Sequence, residues 1–145
     1  LCTNKIKNIM YPPELVKPMI EELTNVGFHE LKTVEAVKEA IERDGTTLVV
    51  VNSVCGCAAR NARPAVVYSL QNAKKPDYLA TVFAGVDKEA TNEAREYMLP
   101  FPPSSPSIAL FKDGELVHML ERHHIEGRMA EAIAENLQQA YDEYC

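Results

Sequence analysis

The feature that most constrains the fold is an uninterrupted run of β-branched and aliphatic residues that ends in two cysteines. Residues 46–54 are TTLVVVNSV, and Cys55-Gly56-Cys57 follows directly. Four successive aliphatic residues, from Leu48 to Val51, are typical of a strand that is buried on both faces of a sheet. Such a sheet needs helices on both faces, and residues 58–67 after the cysteines have helical composition. The sequence therefore predicts an α/β fold in which a central strand passes through the cysteines into a helix.

This position favours sulfur chemistry at the two cysteines. The unpaired N–H groups and the dipole at a helix start stabilise a thiolate, which is the reactive form of cysteine. We predict that Cys55 and Cys57 are the catalytic residues of a redox site, and that Cys55 is the more exposed and more acidic thiol. Gly56 is expected to supply the backbone freedom that closes a disulfide between them. Because the ring is small, that disulfide is predicted to be strained and oxidising.

Composition limits the other classes of function. A chain of 145 residues can bury its own hydrophobic core, and its net charge of −6 argues against a nucleic-acid partner, which would require clustered Lys and Arg. No apolar run approaches the roughly 20 residues that cross a bilayer, and no signal peptide is visible. We therefore expect a cytoplasmic protein without a membrane partner. In that compartment closely spaced cysteines are more often catalytic or metal-binding than structural.

We expect residues 11–145 to form a single domain. Residues 1–10 are interpreted as an N-terminal extension, disordered or derived from an expression vector, with Met10 as a natural start. Cys2 is given no function, and Cys145 is interpreted as a surface thiol without a role.

Hydrophobic periodicity and turn residues predict alternating helices and strands. The predicted helices cover residues 13–26, 33–44, 58–71, 87–97 and 125–144. The predicted strands cover residues 28–31, 48–51, 78–84, 107–111 and 116–120. Thr33 and Asp87 are expected N-caps, Asp113-Gly114 is a hairpin turn, and Met129 is expected on the apolar stripe of the last helix.

This order is that of a thioredoxin-like domain, with a central mixed sheet and helices on both faces. In that fold a proline, usually cis, precedes the strand that begins the hairpin. Ser105-Pro106 occupies this position directly before the predicted strand at residue 107. We predict a cis Ser105–Pro106 bond that lies against Cys55 and positions the substrate.

The resemblance extends to a specific family. Most of the chain, from about Tyr11 to Cys145, resembles the bacilliredoxins, thioredoxin-like bacterial proteins with a Cys-Gly-Cys site. The segments that carry the resemblance are VNSVCGCAA at residues 51–59, ARPA at 62–65, VFAG at 82–85, DKEAT at 87–91, PSSPS at 103–107, and Arg122-His123 with IEG at 125–127.

The resemblance implies an enzyme that removes the small thiol bacillithiol from mixed disulfides on client proteins. It implies that Cys55 is the nucleophile, that Cys57 resolves the intermediate, and that a reductase restores the protein. The small thiol is then a co-substrate and no other cofactor is expected. Members of the family have also been regarded as disulfide isomerases, which remains an alternative activity.

Two arginines after the cysteines are candidate substrate-binding or positioning residues. Arg60 and Arg63 could lower the pKa of the thiol or bind the carboxylates of an anionic thiol. A solvated helix face is the alternative for each of them.

Two further interpretations compete with a redox enzyme. Cys-x-Cys also occurs in metal sites, but a closed zinc site needs four ligands, and His118, His123 and His124 are distant in sequence. We therefore expect no metal. A purely structural or interaction role would leave the paired thiols unexplained.

Overall fold

The computed structural model describes residues 11–145, and the predicted α/β architecture is confirmed. The interpretation of residues 1–10 as an extension, and Cys2 with it, lies outside the described residues. In chain order the elements are α1 (Pro13–Thr24), β1 (His29–Glu30), α2 (Val34–Glu42), β2 (Thr46–Asn52), a π-helical turn (Ala58–Ala62), α3 (Arg63–Ser69), β3 (Tyr78–Phe83), α4 (Lys88–Tyr97), β4 (Ser107–Lys112), β5 (Glu115–Leu120), α5 (Arg122–Ile125) and α6 (Ala130–Tyr144).

The five strands form one mixed sheet in the order β1-β3-β2-β4-β5. Strands β1, β3 and β2 run parallel, whereas β4 is antiparallel to β2, and β5 is antiparallel to β4. Val49 in the middle of β2 pairs with Ala80 on one side and Ala109 on the other. Every residue of β2 is buried, as the aliphatic run predicted. The cysteines therefore follow the most enclosed strand of the sheet.

Side chains alternate along β2 and enter two separate hydrophobic cores. Leu48 and Val50 pack with residues of α1, α3 and α6 on one face of the sheet. Val49 and Val51 pack with residues of α2 and α4 on the other. A strand with period two places successive residues on opposite faces, so an unbroken apolar run is what a sheet covered on both faces requires.

The helix predicted for residues 58–71 is divided. Residues Ala58–Ala62 form a π-helical turn, and a short α-helix, α3, begins only at Arg63. The backbone stays helical from Ala58 through Ser69, and Pro64 directly follows the π-helical turn, whose last N–H, that of Arg63, bonds to the Ala58 carbonyl oxygen. The helical segment is therefore irregular directly before Pro64, where a kink was predicted.

The prediction of one closing helix over residues 125–144 is also wrong. Residues Arg122–Ile125 form the short helix α5, and α6 begins at Ala130. Between them Gly127 has φ +79°, which an α-helix does not allow. Met129, which was expected on the apolar stripe, is the N-cap of α6 and is 70% exposed.

The predicted hairpin turn and one of the two predicted helix caps are confirmed. The Thr33 hydroxyl accepts from the Ala36 N–H at 3.1 Å and caps α2, and Asp113 and Gly114 both have positive φ, as a tight hairpin turn requires. Asp87 precedes α4, but its side chain makes no capping hydrogen bond. No helix in the described part of the chain is both long and apolar enough to span a membrane.

Candidate active site

The backbone between β2 and the cysteines is held by one buried guanidinium. Arg63 Nη1 donates to Asn52 Oδ1 and to the Ser53 carbonyl oxygen, both at 2.9 Å. Asn52 Oδ1 also accepts from the Ser53 N–H at 2.9 Å. These bonds saturate the polar groups at the end of β2 and fix the direction in which the chain leaves the sheet.

The same arginine reaches the first helix. Arg63 Nε donates to Glu22 Oε1 of α1 at 3.0 Å, and Asn52 Nδ2 donates to the Met19 carbonyl oxygen of α1 at 3.2 Å. We call Arg63, Asn52, Ser53 and Glu22 the arginine clamp. It joins α1, the end of β2 and the start of α3 at one point.

The predicted role of Arg63 in binding an anionic substrate is wrong. Its side chain is only 2% exposed, and its donors are directed to residues within the protein. A solvated helix face is excluded for the same reason. Arg63 is instead a positioning residue that acts through the backbone of Ser53.

The two cysteines lie within disulfide-bonding distance, with 5.5 Å between their Cα atoms. Cys57 is 7% exposed, whereas Cys55 is partly exposed, which confirms the predicted order of exposure. The Cys55 carbonyl oxygen accepts from the N–H groups of Ala58 and Ala59 at 3.0 and 3.2 Å. Cys55 therefore stands at the start of the helical segment, with its sulfur toward the outside.

A serine that sequence analysis did not single out contacts the outer sulfur. The Ser53 hydroxyl donates to Cys55 Sγ at 3.3 Å, and the Cys55 N–H donates to the same hydroxyl oxygen at 3.4 Å. A donor directed at a sulfur favours its thiolate form. The position of Ser53 two residues before Cys55 was visible in the sequence, but the contacts of its backbone with the arginine clamp were not.

Cys55 opens into a cavity of about 400 Å³. The residues that line it are Tyr11, Ser53, Val54, Cys55, Ala84, Gly85, Arg95, Ser105 and Arg122. The predicted cis Ser105–Pro106 bond is confirmed, and Pro106 is buried behind Ser105. Ser105 thus faces the same cavity as Cys55. A second cis bond, Leu99–Pro100, was not predicted.

Arg60 and Gly56 lie on the other side of the motif. Arg60 is exposed and lines a separate cavity of about 390 Å³ together with Cys57 and Asn61. A Cβ atom on Gly56 would lie 2.8 Å from Arg60 Nη2. The φ angle of Gly56 is not in the left-handed region, and Arg60 Nη2 is the end of an exposed, flexible side chain that can move aside, so neither feature makes glycine indispensable at this position.

The histidines do not join the cysteines. His118 Nε2 lies 2.7 Å from Asn136 Oδ1, and His124 Nδ1 accepts from the Glu121 N–H as part of a capping box on α5. Burial lowers the pKa of His124. Within residues 11–145, the side chains that could gather around a metal ion are Glu121, His123 and His124, a group that contains neither Cys55 nor Cys57.

Comparisons with known proteins identify the family to which the chain belongs. Residues 11–145 match a protein-family model described as "Disulphide isomerase". A bacilliredoxin of Cytophaga hutchinsonii is 63% identical over 134 residues, which cover 92% of this chain and 99% of that protein. A bacilliredoxin of Halalkalibacterium halodurans is 57% identical over 136 residues, with 93% and 94% covered.

Solved structures with a similar fold include thioredoxins. Oxidised mitochondrial thioredoxin 3 of Saccharomyces cerevisiae has a TM-score of 0.56 at 15% identity and covers 81% of this chain and 96% of its own. A thioredoxin of Malassezia sympodialis has a TM-score of 0.54 at 15% identity, with 81% and 90% covered. The predicted thioredoxin-like fold is therefore confirmed.

The arginine clamp generates a prediction about stability. Arg63→Met should lower the free energy of unfolding by about 3 kcal/mol, because it leaves the Ser53 carbonyl buried without its guanidinium donor and removes one of the two donors to Asn52 Oδ1. The measurement is urea denaturation, with exposed Arg60→Met as the matched control, expected within about 0.5 kcal/mol of the parent. Equal midpoints for the two variants would contradict the clamp.

The hydroxyl of Ser53 generates a prediction about reactivity. Ser53→Ala should slow alkylation of reduced Cys55 near neutral pH, because the donor to its thiolate is lost. The rate is followed by peptide mass spectrometry across a pH series, and its midpoint should move upward. Cys145 is the internal reference, because it is an exposed thiol at the end of the chain. Partial burial raises its pKa above the ordinary value, so it should react slowly near neutral pH in both proteins. An unchanged pH profile for Cys55 would remove Ser53 from the site.

Proposed function

Because the chain belongs to the bacilliredoxin family of thiol–disulfide oxidoreductases, we propose that it removes a low-molecular-weight thiol, bacillithiol or a similar one, from mixed disulfides on client proteins. One observation carries this proposal. Cys55 is partly exposed and lines an open cavity, whereas Cys57 is 7% exposed and lines a different one. The cavity of about 400 Å³ lies in the range that small ligands occupy.

The reaction begins from the reduced protein. The Cys55 thiolate attacks the sulfur of the small thiol, a Cys55–sulfur bond forms, and the disulfide bond to the client breaks. The client leaves as a thiolate and takes a proton from solvent. Attack on this sulfur is favoured if the small group enters the cavity, because the bulky client then remains outside.

Cys57 completes the cycle. Its thiolate attacks Cys55 Sγ, the small thiol leaves as a thiolate, and the Cys55–Cys57 disulfide is the oxidised product. The distance between the two Cα atoms, 5.5 Å, lies within the range for disulfides. A reductase, or two molecules of a small thiol that leave as their own disulfide, then supplies the two electrons that reduce this bond. The small thiol is the co-substrate, and the mechanism requires no metal or other cofactor.

The proposed location is the cytoplasm. This chemistry requires that Cys55 be returned to its thiolate, and the cytoplasm keeps protein thiols reduced. The bacterial bacilliredoxins that resemble the chain are consistent with a host that makes such a small thiol.

Disulfide isomerisation is the second candidate, favoured by the description of the matching family model. In that activity Cys55 attacks a disulfide within a client, and the client's own displaced thiol resolves the intermediate. Cys57 would then be needed only to release stalled complexes.

Substitution of each cysteine separates the steps. Cys55→Ser should abolish release of the small thiol, because no attacking thiolate remains. Cys57→Ser should allow the first transfer and retain the small thiol on Cys55. The measurement is the intact mass of each variant after incubation with a client that carries a defined small thiol, together with the mass of the client.

The matched control is Cys145→Ser, which removes the exposed thiol at the other end of the chain and should leave the release rate unchanged. A Cys57→Ser protein that stays unmodified while the parent protein is active would refute the dethiolation mechanism. Reordering of a scrambled client by Cys57→Ser, without release of small thiol by any variant, would favour isomerisation.

A further inference from the structure

We propose that Arg95 and Arg122 form an anion subsite in the cavity at Cys55, and that this subsite binds carboxylate groups of the small thiol that is transferred. The inference rests on the proposed function, since it names the chemical class of the thiol that the cavity accepts.

Both arginines belong to the wall of that cavity. Arg95 lies in α4 and Arg122 begins α5, and both line the cavity into which Cys55 opens. The protein carries a net charge of −6, so a pair of guanidinium groups beside the reactive sulfur is a local exception to its overall charge. An anionic thiol would be drawn to this end of the molecule.

The loop before β4 holds the two guanidinium groups in place. Arg122 Nη1 donates to the Ser105 carbonyl oxygen at 3.3 Å, and the Arg122 N–H donates to Ser104 Oγ at 3.3 Å. Arg95 Nη2 donates to the Ser104 carbonyl oxygen at 3.5 Å. The segment that includes the cis Ser105–Pro106 bond thus contacts both cations, and their charges are fixed relative to Cys55.

Arg95 has hydrogen-bonding capacity that the protein does not use. Its Nε is buried and has no acceptor among residues 11–145, and no carboxylate of the described chain forms an ion pair with it. A buried donor on a charged group is costly when it is unsatisfied. Burial also lowers the pKa of Arg95. An anion in the cavity would pair with a guanidinium charge that no carboxylate of the described residues compensates.

The guanidinium of Arg122 has only a weak ion-pair partner within the protein. Its Nη2 lies 3.2 Å from Glu126 Oε2, with the two side chains 45% and 57% exposed. Exposed pairs four residues apart on a helix contribute little to stability. A carboxylate in the cavity can therefore take the place of Glu126 at small cost.

The chemistry of guanidinium specifies the ligand. Its planar fork matches a carboxylate with two parallel hydrogen bonds, so two arginines in one cavity suit a thiol that bears two carboxylates. An acidic side chain of the client could supply the same group. The two sources are distinguished by keeping the client constant and changing only the small thiol.

The test uses one single-cysteine client loaded with mercaptosuccinate, which has two carboxylates, or with 2-mercaptoethanol, which has none. The rate of transfer to Cys55 is measured for each substrate and divided by the rate of the same substrate with free dithiothreitol, which removes intrinsic differences in reactivity. The ratio of the two normalised rates is the selectivity. We expect the parent protein to prefer the dicarboxylate by about tenfold or more.

Three single substitutions locate that selectivity. Arg95→Gln and Arg122→Gln should each reduce it by about tenfold or to unity, because each removes one charge-assisted pair. Arg43→Gln is the matched control. Arg43 lies just before β2, is exposed and stacks on the ring of Tyr78, and this variant should retain the selectivity of the parent. Circular dichroism checks folding, and partly exposed Arg122 tests the subsite even if Arg95→Gln does not fold.

The outcomes separate the two proposals. Transfer that continues without preference for the dicarboxylate, or a preference that both glutamine variants retain, would overturn the subsite and leave the proposed function standing. A preference that follows the acidic side chains of the client rather than the small thiol would also overturn it. Absence of transfer from every loaded client would overturn the proposed function and the subsite together.

Discussion

The buried guanidinium of Arg63 is the interaction on which the site depends. It joins α1, the end of β2 and the start of α3 through Glu22, Asn52 and the Ser53 carbonyl oxygen. A buried charge is tolerated only when it is paired and hydrogen-bonded, and all three contacts supply acceptors. The backbone that leads to Cys55 is therefore fixed from three elements, two residues before the reactive sulfur.

This constraint produces an asymmetric pair of thiols. Ser53, whose backbone the clamp holds, donates to Cys55 Sγ, while Cys57 is only 7% exposed. Cys55 and Cys57 line different cavities, and each cavity has its own arginines. This asymmetry supports the proposal that Cys55 attacks the mixed disulfide and that Cys57 resolves the intermediate.

Local patterns in the sequence were sufficient to predict the central strand, from the aliphatic run Leu48 to Val51, and the pairing of the two cysteines that follow it. The cis bond before β4 was predicted instead from the fold that the order of elements indicated. The last helix was predicted too long because its apolar spacing was given more weight than Gly127. The positive φ of Gly127 separates α5 from α6.

Residues whose roles depend on tertiary contacts were not predictable in this way. Arg63 resembles a surface residue of an amphipathic helix until its partner Glu22, 41 positions away, is known. Arg95 and Arg122 belong to separate elements, and both donate to the loop of Ser104 and Ser105. No spacing rule connects them with Cys55, and only the cavity brings the three together.

The most direct test of this account is a crystal structure of the Cys57→Ser protein that carries a mercaptosuccinyl group on Cys55. We expect the adduct to occupy the cavity beside Ser105, with its carboxylate oxygens about 2.8 Å from the guanidinium nitrogens of Arg95 and Arg122. An adduct on another residue, or one whose carboxylates turn to Arg60 and the cavity beside position 57, would contradict it.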